Sequence, residues 1–128
     1  MSQTNLIATS AILVVPDLDR SIAWYVDRLG FSQPGDDAEK FRFAVLEREG
    51  AAIMLKESDT HPPPNRDFTP GIDLFDAYIW IRDIQALHED LKVRGAEIVE
   101  GPVERIYGCT EIALHDPDGY RIVFGYCP

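Results

Sequence analysis

The 128-residue sequence predicts an α+β fold of two tandem βαβββ modules, on three observations. Apolar residues alternate on both sides of an Asp-Pro-Asp-Gly turn near the C-terminus. Each half carries one amphipathic helical stripe between apolar runs, and the second half restarts the pattern of the first. Setting Val15-Pro16-Asp17-Leu18 over Ile81-Arg82-Asp83-Ile84 gives an offset of 66, from which the helix-ending glycines Gly30 and Gly95 drift by one. A single unit of roughly 50 residues, one sheet and one helix, is marginal alone. Two units side by side cover the helix-facing side of each sheet and leave the other sides to line a shared concavity. A single domain is expected, with module 1 over about residues 5–57, a Pro-rich connector over 58–73 and module 2 over about 74–128.

The elements follow in order. Ile12 to Val15 is an apolar run suited to a buried strand, and Pro16 breaks it. Asp17 is a good N-cap, and Leu18, Ile22, Tyr25 and Leu29 form one helical stripe that Gly30 closes. Phe31 to Gln33 offers a short strand. Phe41 to Arg48 and Ala51 to Lys56 read as a hairpin around Glu49-Gly50. From Glu57 to Asp73 the pattern lapses, and Pro62, Pro63 and Pro64 forbid helix and ladder alike. Ala77 to Ile81 is then a strand, Asp83 a cap, and Ile84, Leu87 and Leu91 a helical stripe ended by Gly95. Ala96 to Glu100 and the two arms of Thr110 to Tyr126 supply three more strands. In that last hairpin Ile112, Leu114, Ile122, Phe124 and Tyr126 take one face. Glu111, Ala113, His115, Arg121, Val123 and Gly125 take the other, where function is sought.

Twenty-two acidic against twelve basic side chains give a formal charge of −10. Nucleic acid and anionic membranes are disfavoured partners, since phosphate binding rests on clustered Lys and Arg. The charge suits a cationic ligand, or serves solubility alone. Cys109 and Cys127 lack metal-ligand spacing and are read as free thiols in a reducing cytosol. The opening MSQTNLIATS has neither the basic region nor the apolar run of a secretory signal, so a soluble, cytoplasmic protein is expected. His61 and His88 fall on the connector and the second helix. Cys109 and His115 share a strand face but lie about 20 Å apart at the usual rise, too far for a nucleophile and its base.

Val15-Pro16-Asp17-Leu18-Asp19-Arg20-Ser21-Ile22-Ala23-Trp24-Tyr25, with Leu29-Gly30-Phe31, resembles the first-module signature of the glyoxalase/bleomycin resistance/extradiol dioxygenase (vicinal oxygen chelate) superfamily. Asp116-Pro117-Asp118-Gly119-Tyr120-Arg121-Ile122-Val123-Phe124-Gly125 resembles its last hairpin. The resemblance implies a curved mixed sheet around a concave cleft, helices on the outside, and commonly a homodimer. Enzymes of this superfamily hold a divalent metal through four side chains, one on the first and one on the last strand of each module. Carried over by spacing, those positions are Ser10, Met54, Asp76 and Val123. Only Asp76 is a usual ligand for a hard or borderline cation, so no metal and no cofactor is expected.

If Ala77, Ile79 and Ile81 face the helix, then Asp76, Tyr78 and Trp80 point into the concavity, although a strand Tyr and Trp also serve as plain core. Tyr78-Ile79-Trp80 resembles bleomycin-resistance-type members. The expected function is metal-independent sequestration of a small aromatic or cationic compound such as an antibiotic. The expected ligand-binding residues are Ser10, Met54, Asp76, Tyr78, Trp80, Glu111 and Arg121, with no catalytic residue. The alternative is a lyase, isomerase or dioxygenase of the same superfamily, with a displaced metal site or metal-free acid/base chemistry through Glu111 or His115.

Overall fold

The computed structural model describes residues 5–35 and 38–128. The first four residues of the MSQTNLIATS stretch lie outside them. The first half contains β1 (Ala11–Val15), α1 (Leu18–Leu29), a short α2 (Ala38–Phe41), β2 (Phe43–Arg48) and β3 (Ala51–Glu57). The second half contains β4 (Ala77–Trp80), α3 (Ile84–Val93), β5 (Glu100–Glu104), β6 (Thr110–His115) and β7 (Arg121–Tyr126). Between the halves lies a single 3-10 turn, Asn65–Phe68.

The strands form two mixed sheets, ordered β1-β3-β2 and β4-β7-β6-β5. In each, the first strand runs parallel to the last and the remaining pairs are antiparallel. Ser32 bridges Glu47, so the expected strand at Phe31 to Gln33 is reduced to one ladder residue. Two boundaries differ from the sequence expectation. Phe41 ends α2 instead of opening a strand, because Arg42 takes a positive φ of 49° and the ladder restarts after it. β5 begins only at Glu100, because Ala96 is still engaged in closing α3 through its N–H to Leu91 O at 2.9 Å.

The two helices begin alike. Asp17 accepts from Arg20 N–H and Asp83 from Ala86 N–H, satisfying donors that a helix start leaves unpaired. They also finish alike, with Gly30 and Gly95 at φ 73° and 72°, a left-handed turn that a side chain would resist. Leu13, Val15, Leu18, Tyr25, Leu29, Leu46, Ile53 and Leu55 join Leu91, Ile112, Leu114, Ile122 and Phe124 in one core.

Polar contacts bind the halves together. The Tyr25 hydroxyl donates to Asp116 Oδ2 at 2.8 Å, Tyr120 donates to Val14 O at 2.6 Å, and Arg20 pairs with Asp118 at 2.6 Å. Asp116 also accepts the N–H groups of Asp118 and Tyr120, each at 2.9 Å. Burial nevertheless pushes its carboxyl up to about 6, against the hydrogen bonds that hold it down.

The cysteines are not free. Thr110 lies opposite Tyr126 in the β6–β7 ladder, so the next residue out on each arm brings Cys109 against Cys127, and the two form a disulfide. The reading as free thiols is thus corrected: the 18-residue separation, which has no metal-ligand spacing, is the span of the hairpin.

Candidate functional site

The face of the second sheet opposite its helix is organised in rows. Cross-strand register sets Tyr78 beside Val123 and Val123 beside Ala113, and one step along it sets Trp80 beside Gly125 and Gly125 beside Glu111. Trp80 is 72% exposed although it sits in a strand. Its ring tilts against Tyr78 with centroids 5.3 Å apart, and Tyr78 tilts against Phe75 at 5.1 Å, making a three-ring ladder.

Gly125 makes the ladder possible. A Cβ built there would collide with the Tyr78 hydroxyl, so only glycine lets that phenol lie across β7. The hydroxyl thereby reaches Glu111 Oε2 at 2.7 Å. Tyr107 donates to the same oxygen at 2.6 Å, and Arg105 Nε donates to Oε1 at 3.0 Å. Burial would raise the pKa of Glu111, but the bonds from Tyr107, Tyr78 and Arg105 outweigh it and hold the carboxyl below its usual range. Burial and the Glu111 carboxylate push both tyrosines upward, so they remain neutral donors.

The chain of charges continues across the face. Glu100 Oε1 accepts from Arg105 at 2.6 Å and from Arg121 at 2.8 Å. Arg121, only 4% exposed, also donates to His115 Nε2 at 3.3 Å, while its Nε has no partner. Burial, together with Arg66 and Arg121, lowers the His115 pKa, which keeps the ring neutral and able to accept. Arg121 therefore neutralises Glu100, and it is Arg105 that neutralises Glu111.

The expected ligand residues are only partly brought together. Tyr78, Trp80 and Glu111 are in contact or adjacent. Asp76 is committed to the backbone, accepting Asn65 N–H at 2.9 Å through Oδ1 and Arg121 N–H at 2.8 Å through Oδ2. Met54 lies on the first sheet, in a row between Ile12 and Val45, and the Ser10 hydroxyl donates to Ala11 O at 2.9 Å. Phe75, Glu100, Arg105, Tyr107 and Gly125 were not anticipated. Arg105 and Tyr107 stand in an aperiodic turn, but Gly125, which alternation already places on this face, is a glycine inside a strand and could have been read as a close approach.

The description Glyoxalase/Bleomycin resistance protein/Dioxygenase superfamily matches residues 6–124 of the chain. The chain belongs to this superfamily. A lactoylglutathione lyase of Haemophilus influenzae is 33% identical over 119 residues, covering 88% of this chain and 87% of that protein. A solved glyoxalase/bleomycin resistance protein of Catenulispora acidiphila superposes with a TM-score of 0.69 at 23% identity, covering 96% of this chain and all of that one. A glyoxalase/bleomycin resistance protein/dioxygenase of Nocardioides superposes with a TM-score of 0.64 at 19% identity, covering 99% and 86%. Both likenesses speak to the fold.

The superfamily's metal positions do not fit a divalent cation in this chain. Val123 has no donor atom and Met54 offers a soft thioether, while both Asp76 oxygens already accept backbone N–H groups. Among the described residues no group of three or more His, Cys, Asp and Glu side chains is placed to hold an ion.

Proposed function

We propose that this superfamily member is a cytoplasmic, homodimeric protein that binds and sequesters a flat aromatic or cationic small molecule without a metal. The observation that carries the reading is the ladder of Phe75, half-buried Tyr78 and open Trp80 on a sheet otherwise closed by its own ion pairs. Such rings recognise planar and cationic ligands through their faces, each contact contributing roughly 0.5–2 kcal/mol. The chain's charge of −10 favours approach of a cation. In this reading Trp80 and Tyr78 carry the ligand, Val123 forms part of the floor, and the ionised Glu111 with Arg121 bounds the site.

One sheet face cannot enclose such a ligand. Ile12, 59% exposed beside Met54 and Val45, offers an apolar surface on the other sheet. A second copy that brings this surface over Trp80 would supply the missing wall, with Met54 and Ser10 contributed across the two-fold. The name of the Haemophilus influenzae relative favours a second reading, a lyase, but that chemistry needs a donor set the four family positions lack.

Ethidium, a flat aromatic cation, is a direct probe. Protein treated with a strong chelator, running in light scattering as a dimer, is expected to bind ethidium with unchanged affinity. Loss of binding on chelation, restored by zinc or nickel, would overturn the metal-free reading.

A further inference from the structure

We propose that the Cys109–Cys127 disulfide is a redox latch on this face: a dithiol reductant opens it, releases the 105–108 turn, and frees Glu111 for a cationic ligand. The inference rests on the ligand-binding reading of the Trp80 face.

The latch lies within the site. Strand alternation puts Cys109 on the face of Glu111 and Cys127 on the face of Gly125. Cys127 Sγ is 3.5 Å from the Tyr78 hydroxyl, the group that donates to Glu111. The other two Glu111 donors, Arg105 and Tyr107, come from the turn that Cys109 terminates. Within that turn Arg105 N–H reaches Cys109 O at 2.8 Å and Gly108 N–H reaches Arg105 O at 3.0 Å. Ile106 and Tyr107 are exposed, so little packing restrains the segment beyond these bonds and the disulfide.

The two cysteines are unequally exposed: Cys127 is open to solvent and Cys109 is buried. A thiolate of the dithiol attacks Cys127 Sγ, the sulfur–sulfur bond breaks, and Cys109 leaves as a thiolate that takes up a proton. The reductant's second thiolate then attacks its own sulfur in the mixed disulfide and expels Cys127 as a thiolate. The reductant departs as a cyclic disulfide, and two electrons have passed to the protein. Once the turn is free, Arg105 no longer neutralises Glu111. A buried carboxylate relieved of its counter-ion is a strong acceptor for a ligand cation.

The test compares air-oxidised wild type with the same protein in dithiothreitol. Intact mass and alkylation report the disulfide, hydrogen exchange reports residues 105–111, and ethidium titration reports the site. Reduction is expected to speed exchange of the Arg105 and Gly108 amides by about ten-fold or more. It should also tighten ethidium binding by roughly five- to ten-fold, the scale of one charge-assisted contact. The doubly substituted Cys109→Ser, Cys127→Ser protein should match the reduced state without reductant, and Glu111→Gln should lose the gain. Free thiols in the oxidised protein, unchanged exchange, or unchanged affinity in a protein that binds ethidium would each overturn the latch. Ethidium bound by neither form counts against the ligand class proposed for the face, and the exchange data then decide the latch alone.

Discussion

The row Ile12, Met54, Val45 on the first sheet and the row Tyr78, Val123, Ala113 on the second occupy equivalent places in the repeat, Ile12 and Tyr78 differing by the offset of 66. The first row is apolar and its edge residue Ile12 is open to solvent. The second is flanked by Phe75 and Trp80 and bordered by the ion pairs of Glu100 with Arg105 and Arg121. The sides facing the helices tell the opposite story, with Leu13 and Val15 answering Ile79 and Ile81 and Asp17 answering Asp83. Helix packing dictates one side of each module. The other side is free to diverge, and in the second module it has taken on a polar and aromatic load.

The largest effect should come from the residue that permits this divergence. Gly125→Ala is expected to displace the Tyr78 phenol, break its bond to Glu111 and cost roughly 1–3 kcal/mol of stability. Lys56, the matching position of the first sheet by the alignment of Met54 with Val123, should tolerate alanine within about 0.5 kcal/mol, since it is exposed. Urea melts of the two variants compare the faces directly, and equal losses would abolish the distinction.

A smaller effect concerns the joint between the halves. The Asp116 carboxyl is raised by burial to about 6. The folded chain therefore holds its proton more tightly than the unfolded chain. That contribution to stability is full below the unfolded value, near 4, and is lost as pH rises through about 6. Asp116→Asn should remove a pH-dependent component on the order of 2 kcal/mol between pH 7 and pH 4. Thermal melts of both proteins at those pH values check it, and parallel pH profiles would refute the assignment.

Much of this architecture was legible in the sequence because it rests on short-range rules. Asp17 and Asp83 announce their helices through side-chain capping, and the alternation from Glu111 to Tyr126 fixes which residues face the core. The site was legible only where it shared that alternation, as Tyr78, Trp80 and Glu111 do. Arg105 and Tyr107 reach Glu111 from a turn whose path no periodicity encodes, and Asp76 is spent on the N–H groups of Asn65 and Arg121. The disulfide was missed for a different reason: the cysteines were weighed for metal-ligand spacing and compartment, when register across the hairpin already set Cys109 opposite Cys127.

The most direct test of the Trp80 face as a ligand platform is Trp80→Ala, read in paired urea melts and ethidium titrations. A ring that is 72% exposed contributes little to the fold, so stability should fall by less than about 1 kcal/mol. Binding should weaken by roughly 1–3 kcal/mol, the worth of a stacking anchor. A loss of about 3–5 kcal/mol in stability with unchanged affinity per folded molecule would mean that Trp80 is core, and would contradict the account.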